Sequence, residues 1–227
     1  MAGDTQAATL TDNLVKEAKD AQRTGNFETL YQDLKTSDPK LVKQEIASAN
    51  KQLESQGLLP IAEFDDHSLT FGKDGTTMHA EFDAPGNESS LTMAKNSSSR
   101  TIHLDTSTGQ KTSEDDVLGR SANAADNPTT HIEFDKQGRE TSRIDHDPAL
   151  GDETTLTNPE TGKITSLDQT KWNALDRKDA TEITHIHREF DESGQTSHIK
   201  EVFGPDERPI SHQEFDPKTD VELKKAG

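Results

Sequence analysis

Cysteine is absent from this 227-residue chain, and tryptophan and tyrosine occur once each. The first absence removes disulfides, thiol nucleophiles and cysteine-based zinc sites, while leaving the compartment open. Apolar residues are scarce too. Only 28% of the chain is hydrophobic, and Leu, Ile, Val and Phe together make up about 18%, in the range where high net charge favours disorder. A thick two-sided core is out of reach, so folding must use apolar residues sparingly, in a thin or single-layer structure. No apolar run is long enough to span a bilayer. The opening MAGDTQAATL has neither a basic n-region nor an apolar h-region, so no secretory signal is expected. This reading gives a cytoplasmic protein by default, with export that uses no signal peptide left open. Lys and Arg number 25 against 43 Asp and Glu, a formal net charge of −18. That excess argues against nucleic acid and against anionic membranes. It favours a protein partner with a basic surface, steered by charge.

What is present divides at about residue 60. In TLTDNLVKEAKDAQRTG, Leu10, Leu14, Val15, Ala18 and Ala21 follow helical spacing. Thr9 or Thr11 is expected to cap the start and Gly25 to end it. Phe27, Leu30, Tyr31 and Leu34 repeat the pattern behind an Asn26 cap. A third stripe runs through Leu41, Val42, Ile46, Ala49 and Leu53, with Asp38 as cap and Pro39 in the first turn. Gly57 then suits a left-handed stop, with Leu58 folding back on Leu53. Residues 1–60 therefore predict an amphipathic segment of about three helices, either a small cap or a docking module.

Residues 61–227 read as a repeat. Glu-Phe-Asp recurs around Phe64, Phe82, Phe134, Phe190 and Phe215, and the last four copies are preceded by His at 79, 131, 187 and 212. Gly86, Gly138 and Gly194 follow the Asp at turn spacing. Asp opening and Gly closing suit a type I turn with a bulge. Leu91, Met93, Ile144, Ile199, Val221 and Leu223 lie on the returning segments. Turns about every 11 to 13 residues where the repeat is tightest predict an antiparallel meander with strands of about five residues. Two segments break the rhythm and read as polar loops, near 113–128 and 167–180, the second with Trp172 placed to plug one end of the sheet. The expected fold class is α+β: a short N-terminal helical segment followed by a repeat-built antiparallel β-meander, in an extended or curved sheet. The strand period of two puts His, Glu and Asp of each copy on one face and Phe on the other, as a buried ladder worth on the order of 2 kcal/mol per ring.

The run Phe134-Asp135-x-x-Gly138-Arg139-x-Thr141 resembles the YD repeat of bacterial RHS-type and teneurin-type proteins, loosely over residues 61–223. Phe190, Asp191 and Gly194 match as well. The chain has Phe where that family has Tyr, and Glu140 where it tends to have Leu. The resemblance implies a hairpin-repeat fold and an accessory, secretion-related role.

The sharpest cluster is THIHREFDESGQTSHI, in which His185, His187, Glu189 and Asp191 fall at spacing two. His-x-His on a strand can offer two ligands to zinc or another divalent metal, with His198 or His212 as a third. The set His185, His187, Glu189, His198 and His212 is thus a candidate metal site. The competing reading is a solvated sheet face, where His beside Glu makes good cross-strand pairs and charge discourages edge-to-edge association. His146 between Asp145 and Asp147 is a weaker candidate. No nucleophile elbow or phosphate-binding glycine loop is present. The expected role is non-catalytic and needs no cofactor: a structural or protein-interaction module presenting an acidic β-sheet face, with divalent-metal binding as the alternative.

Overall fold

A computed structural model describes residues 2–121, 123–174 and 179–223. The chain divides into two compact units, residues 1–111 and 112–227. The helical segment is therefore not a domain of its own, because its apolar stripes are completed by the first strands.

In the first unit, α1 (Ala2–Thr24), α2 (Glu28–Thr36) and α3 (Pro39–Ser55) precede β1 (Ile61–Phe64), β2 (Ser68–Lys73), β3 (Thr76–Phe82), β4 (Glu88–Lys95) and β5 (Ser98–Asp105). Each strand is antiparallel to the next. α1 begins well before Thr9 and Thr11, at Ala2. Thr11 instead donates to the buried Glu45 of α3. α2 starts after Phe27 rather than at Asn26, although the Asn26 side chain still accepts the Glu28 N–H at 3.1 Å. The third helix follows its sequence signals closely. Asp38 accepts the Lys40 N–H at 2.8 Å, Gly57 has φ 73°, and the Leu58 N–H returns to the Leu53 carbonyl at 3.0 Å.

One hydrophobic core holds this unit together. Leu14, Ala18, Leu30, Leu34 and Leu53 from the helices meet Leu69, Phe71, Ala80, Phe82 and Leu91 from the sheet. Tyr31 is fully buried, stacks on Phe82 with ring centroids 3.8 Å apart, and meets Phe64 edge-on at 5.8 Å. Its hydroxyl donates to the Asp66 carbonyl. Two side-chain amides seat the entry to β1 as a neighbouring strand would. Gln22 of α1 bonds both the N–H and the carbonyl of Leu59, at 2.9 and 2.8 Å. Asn50 of α3 does the same to Ile61, both at 2.8 Å.

The second unit is built from β6 (Gln110–Val117), which enters it at Thr112, and from β7 (Thr129–Phe134), β8 (Glu140–Asp147), β9 (Gly151–Asn158), β10 (Lys163–Trp172), β11 (Ile183–Asp191), β12 (Gly194–Phe203) and β13 (Pro209–Glu214). They too form an antiparallel meander in chain order. Strands here reach ten residues, because the turns between them are short. Both expected loops are consequently shorter than their polarity suggested. Residues 113–117 belong to β6 and 167–172 to β10, while 175–178 lie outside the described residues. What remains of the first loop is ordered around buried Asn127, whose carbonyl oxygen accepts the Arg120 and Ser121 N–H groups at 2.8 and 2.7 Å. Trp172 is buried with Ala180 and Ile183, and its indole N–H donates to the Pro148 carbonyl at 3.1 Å.

The expected Phe ladder forms only in part. Phe82 is buried and Phe64 packs on the core of the first unit. Phe134, Phe190 and Phe215 are only half-buried, because the second unit has no α-helix among its described residues to lie over them.

Two carboxyls of the first unit carry their charge at a cost. Glu88, at the start of β4, accepts the Phe27 N–H at 3.0 Å ahead of α2. Burial, with some help from the charge on Glu28, pushes it up to about 7. Glu17 is pushed up to about 7 by burial and by the neighbouring Asp33. Between the ordinary value of 4.5 and about 7, the folded protein holds protons that the unfolded chain has released. Stability therefore falls as pH rises through that window and stays lower above it. Glu88→Gln is expected to raise the stability of the first unit at about pH 8 by about 1–3 kcal/mol and to change it little at about pH 5. Thermal melts at the two pH values check this.

Candidate functional site

The repeat is organised by its aspartates, which leave the sheet face and close the turns. Asp135 accepts the N–H groups of Gln137 and Arg139 at 2.8 and 3.0 Å, and the Arg139 guanidinium lies on its second oxygen. Asp83 holds Gly86 and Asn87 in the same way, Asp191 holds Ser193, and Asp216 holds Lys218 and Thr219. Gly138 completes its turn at φ 75°, where a side chain would be strained. Next to the turn, the pairing slips by one residue. Phe82 faces Glu88, Phe134 faces Glu140 and Phe190 faces Gln195. In the first two copies the residue bulged out, Ser89 or Thr141, donates its hydroxyl to the carbonyl of the Glu across from it. The Asp of each copy is thus a turn cap and not a third member of a His-Glu-Asp row.

Between the bulges the register is regular, and it sorts the side chains of the second unit. One row of directly opposed residues runs Thr129, His146, Asp152, Thr170, His185, Glu201, His212. The next runs Asp115, His131, Ile144, Thr154, Asp168, His187, Ile199, Glu214. A third runs Ser113, Glu133, Ser142, Leu156, Ser166, Glu189, Ser197. Residues opposed across antiparallel strands share a face. This face therefore presents Asp115, Glu133, Asp152, Asp168, Glu189, Glu201 and Glu214, and no Lys or Arg stands in its three rows. Ile144 and Leu156 interrupt the polar surface while remaining 42% and 43% exposed. Arg143, Lys171, Arg188 and Lys200 all fall on the opposite face, where they alternate with Ile132, Leu167 and Ile186.

The histidines on the acidic face are bracketed by carboxylates in a recurring way. Nδ1 of His187 lies 2.6 Å from Asp168 on the strand before it, and Nε2 lies 3.0 Å from Glu189 two residues on. His212 repeats this with Glu201 at 2.9 Å and Glu214 at 3.2 Å. His131 has Asp115 at 2.6 Å and Glu133 at 3.9 Å. In the first unit His79 has Thr70 at 2.7 Å in place of the first acid and Glu81 at 3.8 Å. The hydrogen bond to Asp168 raises His187 above its ordinary value against the opposing effect of burial, and the charges of Asp168 and Glu189 add to the rise.

The structure brings together part of the predicted metal set. His185, His187 and Glu189 share the acidic face of β11, and His212 joins the His185 row across Glu201. His198 does not belong: it faces Arg188, on the other side of the sheet, where it is buried, stacks on Phe215 at 4.5 Å and contacts Asp220 at 2.6 Å. A returning strand takes its parity from the register across the turn, not from spacing along the chain. Among the described residues no three His, Asp or Glu side chains converge as a metal would require. His146 bonds Asp152 rather than its flanking acids. Asp145 turns to Arg143 and Asp147 to Arg120. The carboxylates beside these histidines that sequence reasoning missed are Asp115, Asp168 and Glu201. The first two lie in segments read as loop, where two polar faces leave no alternation to mark a strand.

The turn caps contribute stability that acid removes. Hydrogen bonds from the Arg139 and Gln137 backbone and the Arg139 side chain hold Asp135 below its ordinary 3.8. A carboxyl depressed by folding contributes stability above that value, lost as pH falls through the folded one. Asp135→Ala is expected to lower the melting temperature at neutral pH, with the difference closing as the pH drops below 3.8. A melt series across that range tests this. None of the described helices is long and apolar enough to cross a membrane. Comparison with protein-family models and with curated proteins finds no match for this chain.

Proposed function

We propose that the second unit is a non-catalytic protein-interaction module whose acidic sheet face docks a partner with a basic surface. The observation that carries this is the arrangement of charge: acids and histidines but no Lys or Arg stand in the three aligned rows, whereas Arg143, Lys171, Arg188 and Lys200 share the opposite face with Glu114, Asp116, Asp145 and Glu153. A like-signed face focuses its field outward and raises the encounter rate with a cationic partner in a salt-dependent way. Ile144 and Leu156 give that face apolar contact amid the charges, the arrangement expected of a transient interface. The Asp135–Arg139 turn favours a second reading, an accessory protein related to YD-repeat chains with a secretion-related role.

The test separates this face from net charge. Glu189→Gln with Glu201→Gln removes two acids from the docking face, and Asp116→Asn with Glu153→Gln removes two from the other. The first pair is expected to weaken binding of the full chain to a fluorescent oligolysine by about tenfold at low salt, the second by less than about twofold. Equal losses from both would refute the assignment of the face.

A further inference from the structure

The acidic face carries His131, His146, His185, His187 and His212 among its carboxylates, and a neutral imidazole cannot serve two of them. It has one N–H and one lone pair. For His187 and His212, both nitrogens lie within hydrogen-bond reach of a carboxylate. In the neutral form one nitrogen therefore sets its lone pair against an acid, and only the imidazolium makes both bonds. Asp115 and Glu133 flank His131, and Asp152 faces His146. His185 has Thr170 at 3.4 Å, Glu201 directly opposed and Phe203 edge-on at 5.0 Å. Ile199 adjoins His187 in its row.

We propose that these histidines make the face a proton-operated docking surface, which holds a cationic chain when they are neutral and releases it when they are protonated. This rests on the docking role argued above. Proton uptake acts twice: each ring adds a positive charge to the face, and each bracketed ring draws its acids into charge-assisted bonds, away from a partner. Histidine is the side chain whose ordinary charge change falls between about pH 5 and 8, whereas lysine stays charged over that span; Glu17 and Glu88, the carboxyls raised to about 7, belong to the first unit and not to this face. The partner's own charge is therefore constant through the switch.

The experiment uses the full chain and a fluorescent oligolysine at fixed low ionic strength. Affinity is expected to fall by at least about tenfold between about pH 8 and about pH 5.5. The variant His131→Gln, His187→Gln, His212→Gln should lose most of that fall. Calorimetry of the native chain near pH 6.5, in buffers of differing ionisation heat, should show protons released on binding, a readout that needs no variant to fold. Binding at pH 8 with unchanged affinity at pH 5.5, or without proton release, overturns the switch and leaves the docking face standing. Absence of oligolysine binding at every pH overturns the docking face, and the switch with it.

Discussion

Everything distinctive about the second unit depends on strand register. A strand shifted by one residue turns every side chain to the other face, so rows of like residues across consecutive strands exist only if each turn fixes its pairing. The aspartate after each Phe supplies that constraint. At Asp83 and Asp135 its carboxylate holds two backbone N–H groups of the turn, and the one-residue slip beside it sets which side chains of the returning strand face out, while Asp216 caps its own turn in the same way. A residue that looks from sequence like a third catalytic or ligating acid is instead what aligns the His and Glu beside it.

The same strand pattern is completed in two ways. In the first unit the face opposite the His-Glu face is apolar, and α1, α2 and α3 lie over it through Tyr31, Phe27 and their leucines. In the second unit that face mixes Ile132, Leu167 and Ile186 with Arg143, Arg188 and Lys200, with Thr130 and Gln169, and with the acids Glu114, Asp116, Asp145 and Glu153. The long aliphatic stems of Arg and Lys can cover apolar neighbours while their heads stay in water. A chain with so few Leu, Ile, Val and Phe can build this much sheet because only the first unit is asked for a core.

Much of this was legible in the sequence. The helical stripes, the Asp38 cap, the Gly57 stop and the Glu-Phe-Asp turns each rest on local chemistry that four or five residues specify. The face assignments were legible within a strand and not between strands. His185 and His187 were placed together because they lie on one strand. His198 was misplaced because its side depends on a bulge at Phe190 that spacing does not reveal. Gln22 and Asn50, which seat β1 as a missing strand would, carry no sequence signal, since a polar residue on a helix looks the same whether it faces solvent or a backbone edge. Asp115 and Asp168 were hidden for a related reason: strands whose two faces are both polar lack the alternation that marks a strand.

The absence of cysteine allows a direct test of the register. Thr154 and Asp168 are opposed across β9 and β10, whereas Thr155 is opposed to Leu167 on the other side. Replacing Thr154 and Asp168 by cysteine should give rapid, near-complete oxidation to an intramolecular disulfide, while the offset pair Thr155→Cys with Asp168→Cys stays reduced under the same conditions. Equal oxidation of both pairs, or preference for the offset pair, would contradict the alignment on which the acidic face depends.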